Sequence, residues 1–368
     1  MEMCYPIYDE SLLSLTASIL KHYGAPTPHK SLPEFDALLA KNPKNVIFML
    51  FDGMGPTLLE QHLPAESFLR RHFVRSLSSV FPPTTTAATT TTESGLSPLE
   101  HGWLGWSLFF DEIGENVSIF PNTITESDGR KAADYHVARQ YIPYQTMYDK
   151  IAMATGGEVD ATPVSPFTPY KSQSVDEICR AVLDLCRQPN RQYIYTYWHQ
   201  PDYDLHDLGT ANSTITALLQ KIDEQMEALC AKLTDTLVVI TADHGLTDTA
   251  YLMLSDYPDV MDCLVRTPSL ECRCMSFFIK PGRHADFERA FNSHFANCYQ
   301  LLTHSEVIES NLFGAGTPHS RSEAFIGDYL AIATGLISLA PPGAHLFKAA
   351  HAGFTAIERD IPFIVVEK

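Results

Sequence analysis

Asn45-Val-Ile-Phe-Met-Leu-Phe51 is a continuous apolar run that ends in Asp52 and Gly53. A strand that is apolar at every position is typical of a parallel sheet, because helices cover both faces of such a sheet. A second run of this kind, Thr236-Leu-Val-Val-Ile-Thr-Ala242, leads into Asp243-His244-Gly245. The two runs therefore predict buried parallel strands, each of which ends in a polar loop.

A third stretch, Gln192-Tyr-Ile-Tyr-Thr-Tyr-Trp198, ends shortly before Pro201 and Asp202. Between the strands, apolar residues recur with helical spacing, as they do over residues 211–233. This pattern predicts an α/β fold in which helices sandwich a central sheet. Ligands bind outside the carboxyl ends of the strands in such sheets, so we expect the three polar loops to meet at one site.

A smaller segment interrupts this pattern. Residues 255–318 have strand-like composition on either side of a helical stretch at residues 284–295. We therefore expect residues 1–254 and 319–368 to form the main core, and residues 255–318 to form a small inserted α+β lid subdomain.

The composition limits the partners of the chain. Its 368 residues include 26 Lys and Arg against 44 Asp and Glu, a formal net charge of −18. Such a charge repels nucleic acid polymers and anionic membranes, and it also repels a small anionic substrate unless cations reverse the sign locally. The first residues lack the basic start of a secretory signal, and the eight cysteines are scattered, so we expect a cytoplasmic protein.

The polar loops contain residue types that bind metal ions. Asp243 and His244 are adjacent, and Asp202 lies four residues before His206, a spacing that places both on one face of a helical turn. Carboxylates and imidazoles are common ligands of zinc. Taken singly, each of these segments also fits a strand-end turn. His351, in a loop near the C-terminus, also fits a surface histidine.

Residues 81–95 form the most informative segment. Phe81-Pro-Pro precedes a run of threonines and alanines, Thr84-Thr-Thr-Ala-Ala-Thr-Thr-Thr-Thr92. A hydroxyl at a helix N-terminus lies among backbone N–H groups without intrahelical acceptors, where it can meet an anion. The alternative is a threonine-rich helix cap. The local sequence does not choose among the threonines.

Taken together, these segments resemble the alkaline phosphatase superfamily, and within it the type I phosphodiesterase/nucleotide pyrophosphatase family. The family's motifs occur in order along nearly the whole chain: strand-Asp52-Gly, Phe81-Pro-x-x-Thr, Ser94-Gly, Pro98-x-x-His-Gly, Pro201-Asp-x-x-x-His, Asp243-His-Gly and His351-Ala-Gly. The resemblance implies a mostly parallel central sheet sandwiched by helices. It also implies a two-metal hydrolase of phosphoesters.

The resemblance further implies the roles of single residues. An ungapped register from Phe81 to Gly102 places the family nucleophile on Thr85. Two divalent ions, usually zinc in this family, are expected in two ligand sets: Asp52, Thr85, Asp243 and His244 for one ion, and Asp202, His206 and His351 for the other. At Ala88 the chain departs from the family, because diesterases of this branch commonly carry an asparagine there that donates to a phosphate oxygen.

The distribution of cations predicts the substrate class. Three segments around the candidate ligands contain neither Lys nor Arg: residues 76–129, 192–220 and 233–265. A dianionic phosphomonoester usually needs an arginine clamp, whereas a monoanionic diester needs less. We therefore predict a small-molecule substrate with a phosphodiester or pyrophosphate bond, unless Arg130, Arg273 or Arg321 folds over the site.

Three residues are candidates for substrate contacts. Trp103 and Trp106 could stack on a base or cover an apolar leaving group, and core packing is their alternative role. The backbone N–H of Thr86 is expected to stabilise charge on the phosphate.

Other activities of the superfamily are alternatives, in particular phosphomonoester and phosphonate hydrolysis. A sulfatase would carry Cys/Ser-x-Pro-x-Arg at the nucleophile, where this chain has Pro-Thr-Thr-Thr. A non-catalytic metal-binding relative is a further alternative, against which the complete set of six Asp and His ligands argues. The sequence leaves the oligomeric state open.

Overall fold

A computed structural model describes residues 3–368. In chain order its strands are β1 Asn45–Phe51, β2 Phe73–Ser78, β3 Ser107–Phe110, β4 Glu115–Ser118, β5 Thr123–Ile124, β6 Val159–Ser165, β7 Tyr170–Lys171, β8 Arg191–Trp198, β9 Thr236–Thr241, β10 Thr247–Asp248, β11 Ala250–Met253, β12 Ser269–Glu271, β13 Cys274–Phe277, β14 Tyr299–Thr303, β15 Tyr329–Ala333, β16 Ile337–Ala340, β17 Ala349–Ala350 and β18 Asp360–Glu367.

The α-helices are α1 Leu12–His22, α2 Pro33–Leu39, α3 Pro56–His62, α4 Phe68–Arg71, α5 Thr85–Ser94, α6 Pro98–His101, α7 Val137–Tyr141, α8 Met147–Thr155, α9 Val175–Cys186, α10 Asp202–Leu208, α11 Ser213–Cys230, α12 Pro258–Met261, α13 His284–Phe295, α14 His304–Glu309, α15 Ser322–Ile326 and α16 Ala356–Arg359. Two short 3-10 helices are Tyr8–Glu10 and Leu254–Asp256. Within residues 3–368, no helix is long and apolar enough to cross a bilayer.

The main sheet has seven strands in the order β2-β18-β9-β1-β8-β6-β7. β1 pairs in parallel with β8 and β9, and every residue of β1 is buried. β18 is antiparallel to both of its neighbours. The three apolar runs of the sequence are thus adjacent parallel strands, which confirms the predicted mostly parallel sheet.

Helices flank this sheet in two groups that pack among themselves. α1, α5 and α8 contact one another, and α11 contacts α3, α4 and α9. α11 confirms the helix predicted at residues 211–233; it begins after Asn212, whose side chain accepts a hydrogen bond from the N–H of Thr214. The predicted sandwich of helices around a sheet is confirmed.

A second seven-stranded sheet has the order β14-β15-β13-β12-β3-β4-β5. Its strands come from residues 107–124, 269–303 and 329–333, so the sheet extends beyond the predicted lid at both ends. The pairing of Leu270 with Ser107 joins segments that are distant in the chain. The division into a core and a lid of residues 255–318 stays a prediction.

A buried ion pair connects the second sheet to the segment before β18. Arg273, in the turn between β12 and β13, binds Glu358 of α16 through Nε–Oε1 at 2.6 Å and Nη2–Oε2 at 2.8 Å, and neither side chain is exposed. The same carboxylate accepts from the N–H of Gly353 and the hydroxyl of Thr355. These bonds fix the loop that follows His351, in which Ala352 has a φ of 89°.

Candidate metal centre

Two groups of acidic and histidine residues could each hold a metal ion. One consists of Asp52, Asp243 and His244, and the other of Asp202, His206 and His351. Within each group, one ligand atom from every residue lies within 4.8 Å of the others. The structure thus brings together, within each group, residues that lie far apart in the sequence.

The first group is built on the ends of β1 and β9. Asp243 Oδ1 accepts hydrogen bonds from the backbone N–H groups of Gly53 and His244, both at 3.0 Å. His244 Nδ1 lies 3.2 Å from the carbonyl of Gly245, which leaves Nε2 to face Asp52 Oδ1 at 3.4 Å and Asp243 Oδ2 at 3.5 Å. One imidazole nitrogen and two carboxylates therefore converge.

The glycines beside these ligands are required by close packing. Gly53 has a φ of +72°, and a Cβ there would lie 2.5 Å from Leu246 and 2.9 Å from Asp202. A Cβ on Gly245 would collide with the carbonyl oxygen of Ile357. Both Asp-Gly and Asp-His-Gly thus mark places where two loops touch, which a simple turn would not require.

The second group surrounds the start of α10. Asp202 is the first residue of this helix, and its Oδ2 lies 3.2 Å from Nε2 of His206, one turn later. His351 Nε2 lies 3.9 Å from Asp202 Oδ1. Each histidine is oriented through Nδ1, which lies 2.8 Å from the carbonyl of Ala349 for His206 and 3.1 Å from that of Pro83 for His351.

The two groups adjoin each other. The rings of His244 and His351 stack with centroids 3.8 Å apart and an angle of 23° between their planes. The backbone N–H of Asp202 donates to the carbonyl of Asp52 at 3.0 Å. The groups therefore form one pocket, with two candidate cation sites, at the carboxyl ends of β1, β8 and β9.

The three aspartates of the pocket lie close together, and their burial and neighbouring charges shift their pKa values. Burial, followed by the charges of Asp243 and Asp202, raises the pKa of Asp52 well above its usual range. Burial also raises the pKa of Asp243. Burial would raise the pKa of Asp202 as well, but His206 and His351 lower it, and Asp202 in turn raises the pKa of His206 to about 9 against the effect of burial.

The donor set fits divalent cations. Asp202 Oδ1 and Asp243 Oδ2 are buried and accept no hydrogen bond from the described residues. A buried carboxylate oxygen without a partner is costly, and a coordinated cation offsets that cost. Three oxygen or nitrogen ligands in each group suit zinc in a catalytic site, where a further position stays open.

Thr85 lies at the edge of the first group. It is the first residue of α5, and its Oγ1 lies 3.2 Å from His244 Nε2 and 3.5 Å from Asp52 Oδ1. The hydroxyls of Thr84 and Thr89 have other partners, Glu271 and the carbonyl of Thr85 respectively. Thr85 is thus the threonine of the run that contacts the ligands.

The remaining predicted contacts differ in their exposure. Trp103 is 2% exposed and its Nε1 donates to the carbonyl of Ile142, so the indole is part of the second sheet's core. Trp106 is 41% exposed. Thr86 is fully buried, and its Oγ1 forms no hydrogen bond with any of the described residues. Ala88, also fully buried, offers no polar group.

Each arginine that could have covered the site has a glutamate partner. Arg273 binds Glu358 in the core, and the other two pairs are Arg130 with Glu115 and Arg321 with Glu112. Their charges are therefore already balanced within the protein.

Two further residues of the pocket carry no sequence signal. Tyr197 donates its hydroxyl to Asp52 Oδ2 at 2.5 Å. It lies in β8 among other aromatic residues, and only the parallel pairing of β8 with β1 brings it to Asp52. Glu271 ends β12 and binds the hydroxyl of Thr84. Its position depends on the second sheet, which the sequence did not predict in this form.

Comparison with known proteins assigns the family. Residues 46–297 match the sequence profile of the type I phosphodiesterase / nucleotide pyrophosphatase family, which is more than half of the chain. The chain belongs to this family. It is accordingly a phosphoric ester hydrolase of a metal-dependent family. No curated protein matches the chain.

Solved structures of family members and relatives share the fold. Murine ectonucleotide pyrophosphatase / phosphodiesterase 5 aligns with a TM-score of 0.68 and 15% identity over 88% of each chain. An inactive threonine-to-alanine variant of it, in complex with AMP, gives 0.66 and 15% over 88% of this chain and 87% of that one. Phosphonoacetate hydrolase from Sinorhizobium meliloti 1021, in complex with phosphonoformate, gives 0.63 and 15% over 88% and 90%.

The crowded carboxylates generate a prediction about stability without metal. We expect Asp243→Asn to raise the free energy of unfolding of the chelator-treated protein by about 1 kcal/mol or more, because it removes one of three buried like charges. The amide oxygen still accepts from Gly53 and His244. After zinc is added, the same variant should be less stable than the unchanged protein. Urea denaturation with and without zinc measures both effects.

Asp223→Asn is the matched control. Asp223 is also buried, but its two oxygens accept from the N–H groups of Phe68 and Leu69 at 3.0 and 2.7 Å. In this variant the side-chain NH2 group would point at one of the two backbone N–H groups, which would then have no acceptor. The variant should therefore be destabilised with or without zinc. If Asp243→Asn behaves like this control, the carboxylates of the pocket do not repel one another as inferred.

Proposed function

We propose that the chain is a two-metal hydrolase that cleaves phosphodiester or pyrophosphate bonds, with Thr85 as the nucleophile. The observation that carries the proposal is the position of the Thr85 hydroxyl. It lies at the start of a ten-residue helix and within 3.5 Å of both Asp52 and His244, beside the second ligand group. An attacking oxygen, a set of free N–H groups and two cation sites are thus in one place.

The proposed cations are two divalent zinc ions. Asp52, Asp243 and His244 would hold the ion beside Thr85, and the group of Asp202 would hold the other. When bound, the pair would supply Lewis-acid charge that favours deprotonation of the attacking hydroxyl and departure of the leaving oxygen. The two charges would also attract an anionic substrate into a protein whose net charge is −18.

The chain's own groups provide the remainder of the mechanism. The Thr85 hydroxyl gives up its proton to solvent and its oxygen forms a bond to phosphorus, while one ester oxygen leaves with the bonding electron pair. A water oxygen then replaces Thr85 on phosphorus, and the threonine hydroxyl is restored. Because the first intrahelical bond of α5 runs from the N–H of Ala88 to the carbonyl of Thr84, the N–H groups of Thr85 and Thr86 are available to the phosphoryl oxygens.

Neighbouring groups hold the ligands in orientation. The hydroxyl of Tyr197 donates to Asp52 Oδ2 and leaves Oδ1 to face the threonine. The carbonyl of Ala349 contacts Nδ1 of His206, and that of Pro83 contacts Nδ1 of His351. Each contact directs the Nε2 atom of its histidine towards Asp202. Such contacts fix the tautomer and direction of an imidazole ligand.

The substrate class follows from the pairing of the three arginines that could have covered the site. Arg130, Arg273 and Arg321 are each paired with a glutamate, and Ala88 supplies no donor. A phosphomonoester dianion would lack a cation for its second charge, whereas a diester carries only one negative charge. Phosphonate hydrolysis is the second candidate, because the fold is shared with phosphonoacetate hydrolase. We also propose a cytoplasmic location, because the eight cysteines are scattered along the chain as free thiols usually are in a reducing compartment.

A single substitution tests the nucleophile. We expect Thr85→Ala to lower kcat by at least about a thousandfold, because the attacking oxygen is removed while all six Asp and His ligands stay. The metal content, measured by inductively coupled plasma mass spectrometry, should be unchanged. The inactive threonine-to-alanine variant of the murine relative supports this expectation.

Thr90→Val serves as the control, because Thr90 is buried on the same helix and its hydroxyl forms no hydrogen bond with any of the ligands. It should retain activity close to that of the unchanged protein. Full activity of Thr85→Ala, together with loss of activity in Thr84→Ala, would show that the register of the threonine run is displaced by one residue.

The substrate class has its own test. With zinc bound, the protein should hydrolyse bis-p-nitrophenyl phosphate with a kcat/KM at least about tenfold above that for p-nitrophenyl phosphate, because no free arginine meets the second charge of the monoester. Release of p-nitrophenolate measures both rates. A preference for the monoester contradicts the assignment as a diesterase.

A further inference from the structure

Glu271 lies in the wall of the pocket and belongs to neither ligand group. It is the last residue of β12 and is partly buried. Its Oε1 accepts hydrogen bonds from the hydroxyl of Thr84 at 2.6 Å and from the backbone N–H of Trp106 at 2.8 Å. Since Thr84 immediately precedes Thr85, the carboxylate of Glu271 is fixed beside the N-terminus of α5.

The second oxygen of this carboxylate is available. Among residues 3–368, no group donates to Oε2 of Glu271, and this atom is not among the buried polar atoms without a partner. Burial raises the pKa of Glu271, whereas Thr84, the Trp106 N–H, His244 and His206 lower it. The carboxylate is therefore within electrostatic reach of one histidine from each ligand group.

No cation of the protein neutralises Glu271. Within the described part of the chain, no Lys or Arg forms an ion pair with it, and Arg273, two residues away, is bound to Glu358 instead. A carboxylate oxygen at the edge of a substrate pocket is hydrated while the pocket is empty. A substrate that covers this oxygen without offering a hydrogen-bond donor removes the water and does not replace its hydrogen bond.

Two exposed aromatic side chains belong to the segment whose backbone binds this carboxylate. Trp106, whose backbone binds Glu271, is 41% exposed, and Phe120 is 38% exposed. The two rings meet edge to face, with centroids 6.1 Å apart. A carboxylate combined with exposed aromatic rings suits an alkylammonium group, because both attract a positive charge and the rings cover its methylene carbons.

We propose that Glu271 is a specificity-determining residue, whose open carboxylate oxygen binds an ammonium group on one ester arm of a phosphodiester. The same charge repels an ester arm that carries a carboxylate or a further phosphate. This inference rests on the proposed function, and it narrows the substrate of that site to diesters with a cationic arm. It also disfavours pyrophosphates and carboxylated phosphonates as substrates.

Three p-nitrophenyl phosphodiesters test the inference with the zinc-loaded protein. Their second ester arms are aminoethyl, propyl and carboxymethyl, which have similar size and differ in charge. We expect kcat/KM to be about tenfold higher for the aminoethyl ester than for the propyl ester, and lowest for the carboxymethyl ester, because each charge-assisted contact is gained or lost at Glu271. Release of p-nitrophenolate gives all three values.

Glu271→Gln should bring the ratio of aminoethyl to propyl ester close to one. Its amide oxygen still accepts from Thr84 and Trp106, so the wall of the pocket is kept. Glu309→Gln removes the same charge from an exposed position at the end of α14 and should leave the ratio unchanged. A purely structural role for Glu271 would lower the rates of all three esters by the same factor, which would contradict the inference.

The outcomes separate this inference from the function on which it rests. Hydrolysis of all three diesters without preference for the aminoethyl ester, or with an unaltered preference in Glu271→Gln, refutes the role of Glu271 and leaves the diesterase assignment intact. Absence of hydrolysis with every diester refutes the assignment and the inference together. Thermal unfolding of each variant, compared with the unchanged protein, identifies any loss of folded protein.

Discussion

Mutual repulsion among three buried aspartates is the constraint on which the site depends. Asp52, Asp202 and Asp243 are each less than 10% exposed, and two of them have an oxygen without a hydrogen-bond donor. Hydrophobic packing around β1 holds their backbones in place, because all three follow strands at the centre of the sheet. The favourable burial of the strands therefore forces negative charges together, and bound cations would offset their repulsion. The fold thus accounts for a metal-dependent site.

The sequence predicted the parts of the structure that depend on local pattern. Three apolar runs gave the central strands, because a strand buried on both faces has no polar positions. The second sheet could not be predicted in this way, since its pairings join distant segments such as β3 and β12. For the same reason Tyr197 and Glu271 were missed as parts of the pocket. Neither has a motif, and both reach it through strand pairing.

Tertiary contacts also decide what the arginines and tryptophans do. Arg273 was a candidate cation for the substrate, but the structure buries it against Glu358, where it fixes the loop after His351. Trp103 is enclosed in the core of the second sheet, whereas Trp106 stays on the surface beside Glu271. Only the two proposed ions would make such a site positive. The open carboxylate oxygen of Glu271 and the exposed ring of Trp106 are the basis of the proposed preference for diesters with a cationic arm.

We propose that the two ligand groups hold two divalent ions at one pocket, and anomalous diffraction at the zinc absorption edge, from crystals of the zinc-loaded protein, would locate them. We expect two anomalous peaks, one among Asp52, Asp243 and His244 beside Thr85, and one among Asp202, His206 and His351. A single peak at saturating zinc, or zinc bound elsewhere with either group empty, would contradict it.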